Sequence, residues 1–448
     1  MTHDTLAAAL LDARLPRYTS YPPANRFSSR VGPEQMRAWL GRVEDGVPIS
    51  LYVHVPYCRR LCYFCACRTQ GTLGNAPLDR YLDHLEREVD LVTDLLPSRP
   101  RIGALHLGGG TPTILSADRL DRLAAILRGR FALDAETEVS VEIDPTECDD
   151  ARLDALVRLG TGRVSVGVQD FAPIVQEAIG RRQGLDVTRR TVEGARLRGI
   201  RSVNVDLVYG LPHQDPTRLD ATLDAVLDLG PDRVALFGYA HVPWMSRRQS
   251  LVPEDALPDG RARLALAALA RQRLEGAGYV SVGIDHFARP HDSMAGAARA
   301  GTLRRNFQGY TTDTAPVLLG LGPSSISRFP EGYAQTEPAT GAWQRSIARG
   351  ELAIVRGARL DARDRLAAAV IESLMCTGAA DLDALAWAHG HALAPLLERA
   401  QDLAHDLPGI ATVSGGVLRV ASPAAWRLAA ARFDLGLKAT SGRYSMAS

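Results

Sequence analysis

Short β-branched runs alternate with amphipathic segments of helical period through the middle of the chain. The runs predict strands over residues 50–55, 104–107, 138–143, 163–168, 202–208 and 233–239. The segments between them predict helices over residues 78–96, 117–130, 151–159, 187–198 and 216–229. Strands that alternate with helices indicate βα units and a parallel sheet. Six successive units, with no G-x-G-x-x-G after the first strand, favour a full or partial barrel over a dinucleotide-binding sheet.

The two ends of the chain have different patterns. The stretch RYTSYPPANRF, ahead of the first strand, predicts an ordered arm and not a helix. After about residue 350 the pattern predicts helices over 360–374, 382–389, 393–407 and 423–433, with a hairpin at 409–420. We therefore expect an N-terminal arm (1–48), a barrel (49–350) and a small, mainly helical C-terminal domain (351–448). A winged helix that binds nucleic acid is the alternative for the last part, although it has no basic stripe.

Composition restricts the possible partners. The 448 residues carry 52 Lys and Arg against 51 Asp and Glu, a net charge of +1. Such a balance gives no support to bulk binding of nucleic acid or of an anionic membrane. No window reaches the roughly 18 apolar residues of a membrane span. The N-terminus also lacks the basic leader of a signal peptide, so we expect a cytoplasmic protein.

Four of the six cysteines fall within ten residues: Cys58, Cys62, Cys65 and Cys67. In a reducing compartment such a group indicates a metal or redox site and not a disulfide frame. The spacing C-x3-C-x2-C directly follows the first predicted strand. Thiolates on one short loop can converge on an iron–sulfur cluster or on zinc. Zinc remains the alternative and requires a fourth ligand, for example Cys67 or His54.

This cysteine spacing after the first strand of a βα barrel resembles the radical S-adenosylmethionine (SAM) superfamily. A longer series of segments resembles the oxygen-independent coproporphyrinogen III oxidases in order: PRYTSYP, LYVHVPYCRRLCYFCAC, LHLGGGTPT, VSVEIDP, VSVGVQDF, VNVDLVYGLP, FGYAHVP, GIDHFARP and LRRNFQGYTT. The resemblance implies an α/β fold, a partial (β/α)6-type barrel. It also implies oxidative decarboxylation of two propionates of coproporphyrinogen III to vinyls, which gives protoporphyrinogen IX in haem biosynthesis.

The resemblance further implies an electron donor of flavodoxin or ferredoxin type, an electron acceptor and a monomeric enzyme. The alternative is a haem-binding chaperone of the same superfamily, which would bind haem without turning over a tetrapyrrole. Two features separate the families, namely Cys67 and the RYTSYP arm, and both are present here.

By resemblance, the site residues fall into four groups. Ligands of a [4Fe–4S] cluster are Cys58, Cys62 and Cys65. Contacts of a first SAM are Tyr52, Phe64, Gly109, Gly110, Thr111, Glu142 and Ile326. Contacts of a second SAM are Gln169, Arg181, Asp206 and Ala240. The predicted catalytic residues are Cys67 and Gln308.

Other interpretations remain open for several of these residues. Strand period two places Glu138, Ser140, Glu142 and Asp144 on one face, which forms either a ligand pocket or a solvated edge. The glycine turn could cradle phosphate, but it lacks a following GK[ST]. Tyr52 and Phe64 could simply pack in the core. Arg181 could lie on a solvated helix face.

Coproporphyrinogen III bears four propionates, so its site needs cations. Candidates are Arg17, Arg289, Arg304 and Arg305, any of which could instead be a surface residue. Asn306 and Gln308 could donate to a carboxylate or a pyrrole. Cys67 is expected to point away from Cys65, because residues two apart on an extended stretch face opposite sides. We therefore predict that Cys67 is not a cluster ligand.

Overall fold

The computed structural model describes residues 14–437. Its strands are β1 (Ile49–Val55), β2 (Tyr57–Cys58), β3 (Gln70–Gly71), β4 (Ile102–Gly109), β5 (Glu138–Ile143), β6 (Thr161–Gln169), β7 (Ser202–Tyr209), β8 (Arg233–Gly238), β9 (Val280–Val282), β10 (His286–Ala288), β11 (Arg304–Asn306), β12 (Gly309–Thr311), β13 (Leu318–Leu321), β14 (Ile326–Phe329), β15 (Gly332–Thr336), β16 (Ile354–Arg359), β17 (Ala379–Asp381), β18 (Ala411–Ser414) and β19 (Val417–Val420).

The α-helices of the same residues are α1 (Pro33–Leu40), α2 (Ala76–Thr93), α3 (Ala117–Arg130), α4 (Asp150–Leu159), α5 (Pro173–Ala178), α6 (Leu185–Leu197), α7 (Pro216–Leu229), α8 (Gly260–Gly276), α9 (Ser293–Ala300), α10 (Thr340–Ala348), α11 (Ala362–Thr377), α12 (Leu382–Ala388), α13 (Ala394–Asp406) and α14 (Trp426–Arg432). None of the described helices is both long enough and apolar enough to cross a bilayer.

One large sheet organises the molecule. Its twelve strands run in the order β16-β15-β14-β13-β1-β4-β5-β6-β7-β8-β10-β9. The strands from β13 to β8 are parallel, so their carboxyl ends meet at one edge. Within residues 14–437 the two outer strands, β16 and β9, do not pair with each other, and the barrel therefore stays open. The predicted α/β partial barrel is confirmed.

The alternation of side chains along β7 shows how the barrel is built. Val203, Val205 and Leu207 are fully buried in the main hydrophobic core. Asn204 and Asp206, which lie between them in sequence, line a cavity inside the barrel. Successive residues of a strand face opposite sides of the sheet. The apolar side chains of each parallel strand therefore pack against the helices outside the barrel, and its polar side chains line the cavity inside. The sequence pattern predicted six of the seven parallel strands, all except β13, and one helix in each connection between the six.

Several parts of the fold were not predicted from the sequence, among them three strands of the sheet and a helix in the arm. The sheet continues from β13 into three antiparallel strands, β14 to β16, at its open side. Helix α1 interrupts the stretch that was expected to be an arm throughout. Pro33 at its first position, after the capping residue Gly32, starts this helix without losing a hydrogen bond.

A second hydrophobic core joins the C-terminal helices to the arm. Tyr18 and Tyr21 are buried in it with residues of α11 to α14. The Tyr18 hydroxyl donates to Asp434 at 3.0 Å, and Arg26 binds the same carboxylate at 2.6 Å. The backbone N–H of Leu435 donates to the Tyr21 hydroxyl at 2.9 Å. The arm and the C-terminal part therefore fold as neighbours, although they are at opposite ends of the chain.

The division into three parts stays a proposal. The sheet includes β16, which ends after the expected border at residue 350. We therefore place the proposed border of the barrel and the C-terminal domain at about residue 360.

Candidate functional site

A polar cavity occupies the inside of the partial barrel. Its empty volume, which includes open solvent at its mouth, is about 980 Å³. Its polar lining residues are Ser50, His106, Glu138, Ser140, Glu142, Arg163, Ser165, Asn204, Asp206, Arg233, His286, Asn306, Gln308, Thr311 and Asp313. Three members of the predicted carboxylate-bearing face of β5 are in this lining. The solvated-edge alternative for β5 is therefore wrong.

The cysteine loop follows the carboxyl end of β1. The sulfur of Cys58 lies 3.5 Å from the Thr111 hydroxyl, and the sulfur of Cys62 lies 3.6 Å from Nη1 of Arg181. Burial raises the pKa of Cys58 to about 11, and Cys65 and Cys62 add to the shift. The three sulfur atoms are therefore close enough to interact, and none is in a disulfide.

The three thiols do not meet at a single point. Within residues 14–437, no group of three or more His, Cys, Asp or Glu side chains is arranged to hold one metal ion. A cubane cluster binds each thiolate through a different iron, so its ligands stand further apart than those of one ion. Three neighbouring free thiols on one loop fit such a cluster.

The expected orientation of Cys67 is wrong. Its backbone N–H donates to the Cys65 sulfur, with an N–S distance of 3.4 Å. A hydrogen bond between the two side chains lowers the pKa of Cys65 and raises that of Cys67. The chain bends at residues 67 and 68, so the rule for extended strands does not apply. That Cys67 is not a cluster ligand stays a prediction.

The glycine turn after β4 has its amides occupied. The N–H of Gly109 donates to Oε2 of Glu142 at 3.1 Å. The N–H of Gly110 donates to the carbonyl oxygen at the end of β1 at 2.8 Å, and the N–H of Thr111 donates to the carbonyl oxygen of Tyr57 in β2 at 2.9 Å. Bound amides cannot cradle a phosphate, which argues against the phosphate-loop alternative. The glycine turn and Glu142, which the resemblance assigned to the first SAM, are therefore in direct contact.

Two glycines in this turn are required by close approach. Gly109 has a φ of +106°, and a Cβ there would lie 2.5 Å from the His54 ring. A Cβ on Gly110 would lie 2.5 Å from the carbonyl oxygen of Tyr57. Any side chain at either position would push the turn away from the cysteine loop.

Sequence reasoning missed His106 in β4. Its ring stacks on Tyr52, with centroids 5.8 Å apart and planes 13° apart. Its Nδ1 lies 2.7 Å from the Ser140 hydroxyl and its Nε2 lies 3.3 Å from Oε1 of Glu142. His106 thus links the predicted first-ligand residues Tyr52 and Glu142. Its position two residues before the glycine turn, on the inward face of the strand, is the signal that could have identified it.

The remaining apolar candidates have different surroundings. The backbone of Ile326 lies against Gly320, where a Cβ would be only 2.9 Å away. Gly320 pairs with Tyr52 on the neighbouring strand β1, so the backbone of Ile326 lies near Tyr52. Phe64 packs against a small hydrophobic cluster beside the barrel, and its carbonyl oxygen accepts from Gln249 at 2.7 Å.

The residues assigned to a second ligand gather around Gly167. A Cβ there would lie 3.0 Å from Nη2 of Arg181 and 3.3 Å from Nε2 of Gln169. Gly167 also pairs with Asp206 on the next strand. Arg181 is 9% exposed, forms an ion pair with Asp144 at 3.3 Å and follows α5 in a loop. The solvated-helix interpretation of Arg181 is therefore wrong.

Asp206 is held by a polar network that sequence reasoning did not identify. The hydroxyl of Ser165 donates to its Oδ2 at 2.8 Å, and Asn204 donates to its Oδ1 at 2.7 Å. Burial raises the pKa of Asp206 to about 6, and the charge of Glu142 adds to the rise. Ala240 lies after β8, where its carbonyl oxygen accepts from a glutamine at 3.1 Å.

Two of the four candidate arginines are engaged away from the cavity. Arg289 stacks over the Tyr279 ring at 4.1 Å. Arg304 is exposed and forms an ion pair with Glu372 at 3.5 Å. Both guanidiniums are therefore engaged by other groups of the protein.

The other candidates border the cavity. Asn306 and Gln308 line it from the β11–β12 hairpin, where the N–H of Gln308 donates to Oδ1 of Asn306 at 2.9 Å. Arg17 and Arg305 both lower the pKa of the same carboxyl, Asp285. The structure therefore brings the arm and the hairpin to one side of the cavity.

Comparisons with known proteins agree with this geometry. The family model of the radical SAM superfamily matches residues 52–226. An oxygen-independent coproporphyrinogen III oxidase of Cereibacter sphaeroides is 48% identical over 98% of this chain and 98% of its own. One of Paracoccus denitrificans is 53% identical over 82% of this chain and 81% of its own. The solved structure of the Escherichia coli coproporphyrinogen III oxidase has a TM-score of 0.90 and 35% identity, covering 95% of this chain and all of that chain.

The open βα barrel with three cysteines after its first strand defines a radical SAM enzyme, an oxidoreductase that uses a [4Fe–4S] cluster and SAM. Identity near one half, over almost the whole length of both chains, narrows this class to one family. The chain belongs to the oxygen-independent coproporphyrinogen III oxidases.

Proposed function

We propose that this chain converts coproporphyrinogen III into protoporphyrinogen IX by oxidative decarboxylation of two propionates to vinyls, the anaerobic step of haem biosynthesis. The observation that carries the proposal is the 48% identity to an oxidase of this name over 98% of both chains. The polar cavity inside the barrel supports it, because a substrate with four carboxylates needs polar walls.

Cys58, Cys62 and Cys65 would hold the cluster. Their free thiols on one loop fit its need for three thiolates. Nη1 of Arg181 lies 3.6 Å from the sulfur of Cys62, where a positive charge can pair with a sulfur ligand of the cluster. When bound, the cluster supplies the electron that cleaves SAM to methionine and a 5′-deoxyadenosyl radical.

The first SAM would lie between the glycine turn and β1. The N–H groups of Gly109, Gly110 and Thr111 already donate within the protein. An ammonium group is itself a donor, so the backbone groups of the turn that could bind it are the carbonyl oxygens. Glu142 adds a carboxylate at the same place. The adenosine would contact Tyr52 and the neighbouring Phe64 and Ile326, which present ring faces and apolar groups.

A second SAM would lie near Gly167, beside Gln169, Arg181 and Asp206, and by resemblance it would also contact Ala240 after β8. Two propionates each lose one hydrogen and each radical is consumed once, so one product requires two molecules of SAM. The carboxylate of Asp206 and the guanidinium of Arg181 suit the opposite charges of an amino acid. This arrangement explains why polar groups occur at two separate positions of the barrel.

Cys67 and Gln308 would contact the substrate. Cys67 lies beside Cys65, and Gln308 reaches the cavity from the hairpin on the opposite part of the barrel. Substrate held between the two positions would have its propionate near the radical and away from bulk water. Exclusion of water protects a radical from side reactions.

We further propose a cytoplasmic monomer that receives electrons from a flavodoxin or ferredoxin and passes the product electrons to a separate acceptor. A haem-binding chaperone is not favoured, because the relatives named above are oxidases over nearly the whole chain. Both Cys67 and the RYTSYP arm are also present, as expected of an oxidase.

The test is an anaerobic assay of the reconstituted protein with coproporphyrinogen III, SAM and a low-potential reductant. Mass spectrometry should detect loss of two carboxyl groups, with two methionines formed per product. The Cys62→Ala variant is the matched control and should form no product. Bound haem without any decarboxylation would support the chaperone and refute the oxidase.

A further inference from the structure

Four guanidinium groups meet at the border of the cavity, where the arm, the barrel and the C-terminal part come together. We call Arg17, Arg263, Arg305 and Arg427 the arginine cluster. They come from four separate segments: the arm, α8, β11 and α14. Because the four guanidiniums come from distant parts of the chain, their proximity does not result from the spacing of residues along a single helix.

Hydrogen bonds to neighbouring carbonyl oxygens fix the arrangement. Arg17 donates to Gly238 at 2.8 Å, and Arg263 donates to the next residue, Tyr239, at 2.8 Å. Arg427 donates to the carbonyl of Leu15 at 2.8 Å, two residues before Arg17. These bonds place three guanidiniums side by side along the top of β8 and the start of the arm.

Arg305 completes the cluster with donors to spare. It is 9% exposed, and its guanidinium lies 4.4 Å from the centre of the Tyr310 ring. Its Nε and Nη1 are buried without a hydrogen-bond partner. A buried guanidinium with two unsatisfied donors is costly unless a ligand completes it.

One carboxylate, that of Asp285, lies among the guanidiniums of the cluster. Asp285 is the carboxylate whose charge acts on Arg17, Arg305 and Arg427 together. It is also bound to His286 at 2.7 Å, so its charge is shared further. Arg17 and Arg305 thus share one carboxylate, and the two donors of Arg305 that lack a partner can bind an anionic ligand.

The cluster adjoins the cavity where a substrate would lie. Tyr310, which stacks under Arg305, and His286, which binds Asp285, both line the cavity. Arg17 is accessible to solvent, yet desolvation is the main cause that lowers its pKa. A guanidinium with both properties lies in a recess and not on an open surface.

We propose that the arginine cluster binds the propionates of coproporphyrinogen III that are retained in the product. This inference rests on the proposed function and adds Arg263 and Arg427 to its site. Guanidinium forks bind carboxylates with two parallel hydrogen bonds. A propionate that must leave as neutral CO2 is poorly served by such pairing, because pairing stabilises the charged ground state. The retained propionates keep their charge throughout, so the cluster can orient the ring without opposing the reaction.

The test uses the full-length reconstituted enzyme and two probes, coproporphyrin III and its tetramethyl ester, which lacks the carboxylate charges. Arg305→Gln and Arg427→Gln should each weaken coproporphyrin III binding about tenfold, or about 1.4 kcal/mol. Binding of the ester should not change. The matched control is Arg304→Gln, next to Arg305 but exposed, which should bind both probes like the wild type.

Turnover provides a second measurement. Both cluster variants should raise the KM for coproporphyrinogen III with little change in kcat, and should keep their iron and their cleavage of SAM. Equal losses for acid and ester would show a structural role and overturn the inference, as would wild-type affinity in both variants. A wild-type enzyme that binds coproporphyrin III without decarboxylating its reduced form would instead refute the proposed function and leave the cluster as a carboxylate site.

Discussion

Replacement of Asp206 by Asn isolates the charge of one carboxylate in the barrel. The Asn204 amide can still donate to Oδ1, and the new amide can donate to the Ser165 hydroxyl, which has a free lone pair. The network therefore survives, and the fold should too. What is lost is a charge-assisted hydrogen bond of about 1.5–3 kcal/mol to the second SAM. That loss corresponds to a binding constant weaker by roughly one to two decades.

The pKa of Asp206 adds a pH signature to this prediction. With a value of about 6, the carboxyl is about 90% ionised at pH 7 and about 10% ionised at pH 5. The carboxylate and ammonium of SAM keep their charges in this range, since their pKa values lie near 3.5 and 8. Affinity for the second SAM should therefore fall by nearly a decade from pH 7 to pH 5. The Asn variant should not show this fall.

The assay is equilibrium binding of labelled SAM to the reconstituted enzyme at both pH values. Wild type should bind two molecules, and Asp206→Asn should bind one at the same concentration. Asp228→Asn on the exposed face of α7 is the matched control and should behave as wild type. A stoichiometry of one in wild type would falsify the two-site model. An unchanged pH dependence in the Asn variant would show that another group titrates.

Four further outcomes are expected. Cys62→Ala should lose the cluster, measured as iron and sulfide content, and a full cluster in that variant would end its assignment as a ligand. Cys67→Ser should keep its iron but lose decarboxylation, so loss of iron would contradict us. Deletion of residues 1–30 should preserve the cluster while uncoupling SAM cleavage from product formation, because the arm carries Arg17; full activity would exclude this role. Burial raises the pKa of Glu88 from 4.5 in the unfolded chain to about 7 in the folded protein. Between these two pH values the folded state keeps a proton that the unfolded state has released. The free energy of unfolding should therefore fall as the pH rises from about 4.5 to 7. Thermal unfolding should show a steeper fall in the wild type than in Glu88→Gln, because Asp206, whose pKa is also raised, titrates in both proteins.

The barrel could be predicted because its signal is local. Each parallel strand, such as β7, is a short β-branched run with a helix after it, and burial on both faces keeps that run apolar at alternate positions. The antiparallel strands β14 to β16 carry a weaker signal, because they lie at the outer side of the sheet. Helix α1 was missed because prolines and aromatic residues around it indicated irregular structure.

The site was predicted where a motif spans consecutive residues and missed where only folding joins the parts. Gly109 of the glycine turn and Glu142 are 33 residues apart, but the resemblance linked them and the structure places them in contact. Arg263 and Arg427 gave no signal, since each is an arginine in an ordinary helical pattern. Cys67 was misplaced because a bend, which depends on tertiary contacts, replaced the extended backbone assumed for it.

The attachment of the arm to Asp434 has a consequence for the order in which the protein is made. Tyr18 and Arg26 leave the ribosome early, but their partner follows some four hundred residues later. The contact is among the longest in sequence separation that the chain contains, and such contacts form late in folding. The cysteine loop belongs to an N-terminal βα unit that can fold during synthesis. The recess around Arg17 and Arg427 is therefore completed last, after the part of the chain that receives the iron–sulfur cluster.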